Sequence, residues 1–308
     1  MQSSQSHLLT LKEWTAEQIE EIVRTGVEMK AHPGRYADSL RGRTIALLFQ
    51  KTSTRTRASF EVGMTQMGGH AMYMDWQTTN FALADLADES RVLSGYVDGI
   101  VARMLRHSDL RRLANGSASP VINGCCDMYH PCQILGDLLT IYEQRGSLKG
   151  SKVVYVGIHN NICNSLIAGC TKVGAEITVV APEKNGPSFD PDLEHQARST
   201  GLYKTTLNIV QAVREADFIY TDTWLDMEYF LDPTYETEKQ RRIRVFSDYQ
   251  IDETLLQHTR AKVMHCLPAH QGYEITEGAL KSTQSIVFQQ AENRLHAQKA
   301  LLWHLLVN

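Results

Sequence analysis

The chain has 308 residues, 43% of them hydrophobic, with 31 basic and 35 acidic residues and a net charge of -4. Such a length builds a sizeable core and two ordinary domains, and the near-balanced charge gives no overall electrostatic reason to bind nucleic acid. No apolar run approaches the roughly 20 residues of a bilayer helix, and the segment from Met1 to His7 lacks the charged and apolar regions of a secretion signal, so a cytoplasmic protein acting on small molecules is expected.

In chain order, apolar residues recur at helical spacing from Leu8 to Met29, and Thr15-Ala16-Glu17-Gln18 has the form of a helix start. After His32-Pro33-Gly34 a strand runs from Thr44 to Phe49. It feeds Lys51-Thr52-Ser53-Thr54-Arg55-Thr56-Arg57 and then a helical pattern that reaches Met67 and stops at Gly68-Gly69. Alternating hydroxyls and guanidiniums at a strand-to-helix turn bring backbone N–H groups, side-chain donors and the positive end of a helix dipole onto one small volume, which suits a phosphate. The same residues also read as a Ser/Thr cap followed by two solvated arginines. A nucleoside triphosphate is disfavoured, because no G-x-x-x-x-G-K-[ST] is present.

A second strand spans His70 to Met74, and Gln77-Thr78-Thr79-Asn80 reads as a loop. A helix from Asp88 to Tyr96 leads into the apolar strand Gly99 to Met104, which carries Arg103 near its end. Strand ends are where open α/β sheets place ligands, so Arg103 is a candidate anion or carbonyl contact, with an ordinary surface arginine as the other reading. Pro120 to Asn123 is strand-like. It precedes His130-Pro131-Cys132-Gln133 at the head of a helix with apolar Ile134, Leu135, Leu138, Leu139 and Ile141. His130 reads equally as a hydrogen-bond donor to a ligand carbonyl and as a helix-terminal histidine.

Arg145 to Gly150 interrupts the periodic pattern and marks a domain boundary. A second α/β series follows: a strand from Lys152 to Gly157, a turn and helix from Asn160 to Val173, a strand from Glu176 to Ala181, a helix from Leu207 to Ala216, and Phe218 to Asp222. This alternation predicts a doubly wound parallel sheet. The turn Gly157-Ile158-His159-Asn160-Asn161-Ile162 lacks the second and third glycines of a dinucleotide fingerprint. Asn160 and Asn161 remain either ligand contacts or helix caps. Asp222, at a strand end, is a partner for a substrate ammonium or a turn former.

Asp226 to Arg244 is highly charged and expected to be a mobile loop and surface helix. Lys262 to Pro268 reads as a buried strand ending in a sharp turn. The final helix, Ala291 to Val307, carries Leu295, Leu301, Leu302, Leu305 and Leu306. Six cysteines, Cys125, Cys126, Cys132, Cys163, Cys170 and Cys266, show no paired C-x-x-C zinc spacing, so reduced thiols and no structural metal are expected. Nothing beside Cys266 specifies a Cys-His nucleophile.

Taken together, Ser53-Thr54-Arg55-Thr56-Arg57, Arg103, His130-Pro131-Cys132-Gln133, His265-Cys266-Leu267-Pro268 and Ala291-Glu292-Asn293-Arg294 resemble the aspartate/ornithine carbamoyltransferase family, closest to its ornithine branch. The resemblance implies two doubly wound α/β domains: a carbamoyl phosphate-binding domain over 1–146, an amine-binding domain over 147–290, and a C-terminal helix over 291–308 returning to the first. It implies a homotrimer or multiple of trimers, no cofactor and no metal. By this carry-over Ser53, Thr54, Arg55 and Thr56 hold the phosphate, and Arg103, His130 and Gln133 polarise the carbamoyl group. Cys266, Leu267 and Arg294 line the reaction centre, with Cys266 placing the amine rather than bonding to it.

In the ornithine branch the amino-acid end of the substrate is held by an asparagine, an aspartate and a Ser-Met-Gly turn. The matching positions are Asn161, Asp222 and Asp226-Met227-Glu228, so two potential negative charges replace the serine and glycine. Extra acids favour a second ammonium over a carboxylate, and the segment around Thr79 to Leu83 is shortened and altered. L-ornithine is the expected acceptor, because Asn161, Asp222 and the His-Cys-Leu-Pro turn remain. Another amine such as putrescine is the alternative.

Overall fold

The computed structural model describes residues 7–225 and 229–307, and the chain divides into two compact units. The first comprises Met1–Glu143 together with Glu292–Asn308, and the second comprises Gln144–Ala291.

The first unit is built on a parallel sheet of four strands in the order β2-β1-β3-β4. In chain order its elements are α1 (Ala16–Ala31), β1 (Thr44–Phe49), α2 (Thr54–Gln66), β2 (His70–Asp75), α3 (Leu86–Ser94), β3 (Gly99–Arg103), α4 (His107–Gly116), β4 (Val121–Cys125) and α5 (Pro131–Arg145). Five consecutive residues of β1 are buried, as a central parallel strand covered on both faces requires. Thr15 starts α1 through a reciprocal capping box with Gln18.

The helical spacing read from Leu8 does not hold before that cap. Leu8 N–H donates to Val121 O at 2.9 Å and Asn123 N–H donates to Leu8 O at 2.8 Å, so this segment lies along β4 as a parallel bridge. Leu8 is buried because it extends the sheet, and burial at one edge residue mimics a helical period. At the other end of β4 the register shifts, Arg103 pairing with Cys125, whose φ is 150°. Such an irregularity re-aims the strand ends, and this one falls at Arg103, whose charge acts on His130.

The second unit holds a parallel sheet of five strands ordered β7-β6-β5-β8-β9. Its elements are β5 (Lys152–Val156), α6 (Asn161–Lys172), β6 (Glu176–Val180), α7 (Pro191–Ser199), β7 (Tyr203–Thr205), α8 (Ile209–Val213), β8 (Phe218–Thr221), α9 (Glu236–Phe246), α10 (Glu253–Leu256), β9 (Lys262–His265) and α11 (Glu277–Leu280). The helix expected from Leu207 to Ala216 shrinks to α8, since Asn208 caps it by accepting from Gln211 N–H. The last helix, α12 (Val287–Leu306), starts earlier than Ala291 because Gln290 N–H already donates to Ile286 O. Its residues from Glu292 onward belong to the first unit. Both sheets are wholly parallel, which is the two-domain α/β architecture expected.

Candidate active site

In the first unit the site begins at the β1-to-α2 turn. Ser53 is the N-cap of α2, its hydroxyl accepting from Thr56 N–H at 3.3 Å. The first turn of α2 contains no acidic residue, so the helix dipole there is not offset from within, unlike that of α1 with Glu17 or α3 with Asp88. Thr54 is exposed, Arg55 half-buried and Thr56 buried. Arg57 points elsewhere: it pairs with Glu61 at 2.9 Å and stacks on Tyr73 at 3.8 Å.

Arg294, on α12, is 2% exposed. Its Nη2 donates to Thr56 Oγ1 at 3.2 Å and its Nη1 donates to Gln133 Oε1, while Gln133 Nε2 donates to Asp137 Oδ1 at 2.8 Å. Burial, then the neighbouring Arg55 and Arg103, pull its guanidinium below the ordinary value against the opposing pull of Cys132 and Asp137. A bound anion reverses that repulsion. Arg103 Nη1 reaches only Gly124 O, at 3.4 Å, and its buried Nε has no hydrogen-bond partner among the described residues. His130 is held well below the usual imidazole range by burial first, then by Arg294, Arg103, Lys51 and Arg55. It is therefore a neutral donor surrounded by cations. Ser53, Thr56, Arg55, Arg103, His130, Gln133 and Arg294 thus form one cationic, hydrogen-bonding cluster. Lys51, quoted in the motif but given no role in the sequence reading, joins it electrostatically.

The second unit holds a cluster of different chemistry. β8 and β9 pair in parallel with Thr221 opposite His265, so Asp222 and Cys266 leave the sheet side by side. Asp222 Oδ1 accepts from Cys266 Sγ at 2.8 Å and from Thr223 N–H at 2.8 Å, and its Oδ2 accepts from Asn160 Nδ2 at 2.7 Å. Asn160, read from the sequence as either a ligand contact or a helix cap, is thus one of the carboxylate's partners. Its Oδ1 also caps α6 by accepting from Ile162 and Cys163 N–H. Asn161 Oδ1 accepts from Ile162 N–H at 3.0 Å. Leu267, with φ of 55°, occupies the left-handed region that disfavours branched side chains. Asp226 and Met227, together with Glu228, lie outside the described residues.

All six cysteines are thiols, and only Cys266 is not buried. Burial pushes Cys126 and Cys132 up to about 12, which makes them inert. Asp222, His265 and Cys266 offer metal-ligating atoms within 4.8 Å of one another. Both nitrogens of His265 are already committed, however: Nδ1 accepts from Leu267 N–H at 2.8 Å and Nε2 donates to Glu274 Oε1 at 2.9 Å.

Comparison with known proteins places these two clusters in a recognised context. Residues 6–143 match the family model for the aspartate/ornithine carbamoyltransferase carbamoyl-P binding domain, and residues 149–305 match that for the Asp/Orn binding domain. The chain is 43% identical to an ornithine carbamoyltransferase of Pyrococcus horikoshii, over 97% of this chain and 95% of the relative. Among solved structures, the ornithine carbamoyltransferase from Pyrococcus furiosus superposes with a TM-score of 0.87 at 42% identity, covering 97% of this chain and 96% of that one. The ornithine transcarbamoylase of Giardia lamblia superposes with a TM-score of 0.88 at 28% identity, covering 99% of both.

Proposed function

The chain belongs to the aspartate/ornithine carbamoyltransferase family, and from that membership and the geometry above we infer that it transfers the carbamoyl group of carbamoyl phosphate to the side-chain amine of L-ornithine, giving citrulline and phosphate. The observation that carries this reading is the cluster of Arg55, Arg103 and Arg294 around a neutral His130 at the acid-free N-terminus of α2.

In this reading Ser53, Thr54, Arg55 and Thr56 hold the phosphate, as backbone donors at a helix N-terminus and cationic side chains do for any phosphoryl group. Arg103, His130 and Gln133 face the carbamoyl group, and Arg294 ties Gln133 to Thr56. The amine attacks as the free base. Its nitrogen bonds to the carbamoyl carbon, the carbonyl oxygen gains charge, and the C–O bond to phosphate breaks. The amine proton leaves with hydrogen phosphate. Donors already fixed where the oxyanion forms lower the barrier, because they need no reorganisation during the step. His130, neutral and buried, supplies an N–H without carrying a charge that would compete for the phosphate.

Asp222 holds the amino-acid end of ornithine through its ammonium. Cys266, hydrogen-bonded to that carboxylate, places the amine together with Leu267. The thiol is committed as a donor to Asp222, which supports positioning over covalent catalysis. Putrescine is the less favoured acceptor, since relatives at 40–43% identity over nearly the whole chain carry the ornithine name. A trimeric assembly, a cytoplasmic location and a role in arginine biosynthesis belong to the same proposal. They rest on the family resemblance, with the name "Ornithine carbamoyltransferase, anabolic" of the Pyrococcus furiosus relative supporting the last.

Phosphate release tests the function. It should require both carbamoyl phosphate and L-ornithine, and release that ignores the amine would refute it.

A further inference from the structure

The ladder between β8 and β9 ends at Thr221 and His265, and Asp222 and Cys266 follow directly beyond it. One buried side chain links the two segments that continue from there. Glu274, wholly buried, accepts at a single oxygen, Oε1, from His265 Nε2 at 2.9 Å and from His270 N–H at 2.6 Å. Each donor leads to a different side of the Asp222–Cys266 cluster.

On one side, His265 Nδ1 accepts from Leu267 N–H at 2.8 Å, which fixes the Nε2–H tautomer and pins the residue whose φ is 55°. A strained backbone conformation persists only where its surroundings over-determine it. On the other side, Thr223 Oγ1 donates to Leu225 O at 2.7 Å and lies 2.7 Å from His270 Nδ1, which must then carry the proton. Burial lowers the His270 pKa, in keeping with this neutral tautomer. Thr223 N–H donates to Asp222 Oδ1 at 2.8 Å. Glu274 Oε2 has no partner among the described residues, so both hydrogen bonds to this carboxylate fall on the oxygen that joins the two sides.

We propose that Glu274 is a positioning residue for the amine substrate: its carboxylate sets the Cys266–Leu267 turn against the Asp222–Leu225 loop. This rests on the ornithine reading of Asp222 and Cys266. An anionic acceptor holds two donors about twice as strongly as a neutral amide, so the charge of Glu274, and not only its shape, maintains the arrangement.

The test is steady-state kinetics of Glu274→Gln in the full chain, with each substrate varied in turn. The Michaelis constant for L-ornithine should rise about tenfold while that for carbamoyl phosphate stays within about twofold, since the network touches only the amine half. Equal losses toward both substrates, or no change toward either, would overturn the positioning role. Should Glu274→Gln not fold, Thr223→Val and Thr223→Ser carry the test at the far end of the network. The valine variant should reproduce the selective rise and the serine variant should restore wild-type behaviour, while identical behaviour of the two would overturn the proposal. Wild-type protein that carbamoylates a different amine would refute the ornithine reading alone, and the same kinetic split is then read with that amine. Wild-type protein that carbamoylates no amine would refute both.

Discussion

Gly136 lies inside α5, against Arg294, where a methyl group would test how tightly the guanidinium is held. A Cβ at Gly136 would sit 3.0 Å from Arg294 Cδ, 3.3 Å from its Cα and 3.4 Å from its backbone nitrogen. Ordinary carbon–carbon contact is about 3.5–4.0 Å, so the helix backbone at Arg294 must yield by some tenths of an ångström. Two effects oppose each other in Gly136→Ala. Helix propensity favours alanine by about 1 kcal/mol, whereas overpacking a close helix contact costs about 1–3 kcal/mol. The steric cost wins, because two of the three crowded atoms are backbone. A net loss of about 1 kcal/mol is expected, lowering Tm by about 2–4 °C. The catalytic effect is larger in proportion. Arg294 carries the hydrogen bonds to Thr56 and Gln133, and misplacement by about 1 Å costs up to about 100-fold. About a tenfold fall in kcat/KM for carbamoyl phosphate is predicted for the smaller shift here. Thermal unfolding and initial-rate kinetics read both effects. A variant stabilised by about 1 kcal/mol with unchanged kinetics would refute the reasoning.

Asp222→Asn removes the charge offered to the substrate ammonium. It should raise the L-ornithine KM about 100-fold while calorimetric binding of carbamoyl phosphate is unchanged; an unaltered KM would remove Asp222 from the site. Cys266→Ser keeps a donor toward Asp222, so activity should fall by no more than about tenfold, and total inactivity with intact substrate binding would point to a covalent role. His130 adds an acid-side dependence of stability. Its folded pKa lies well below 6.5, so below about pH 6.5 the unfolded chain binds a proton that the folded chain refuses. Stability therefore falls as pH drops, by up to about 1.4 kcal/mol per pH unit for such a histidine, with no contribution at higher pH. His130→Gln should flatten that slope in denaturant titrations, and an unchanged slope would contradict the buried, neutral assignment.

Much of this was legible in the sequence where local pattern and chemistry coincide. The uninterrupted apolar run of β1 followed by Ser53 to Arg57 announces a parallel strand feeding a helix N-terminus, and the structure has that arrangement. Arg57 shows the limit of such a motif, since composition does not reveal that Glu61 and Tyr73 divert it. α7 escaped notice because only Leu193 and Ala197 of its nine residues are buried, too weak a stripe to read. β7 is three residues long, with one buried. Asn160 and Asn161 are adjacent amides at the start of one helix, and only the three-dimensional approach of β8 decides that the first meets Asp222. The Glu274 network was out of reach for the same reason: its partners are joined by folding, and an isolated Glu in Gly272-Tyr273-Glu274-Ile275 carries no local signature.

The identity of the acceptor amine turns most on Asp226 and Glu228, which stand where the ornithine branch has serine and glycine. The most direct measurement is colorimetric detection of the ureido product with purified protein, carbamoyl phosphate and either L-ornithine or putrescine, compared by kcat/KM. Citrulline should form much faster than carbamoylputrescine. The reverse order would mean that the altered turn has changed the specificity and that the ornithine assignment is wrong.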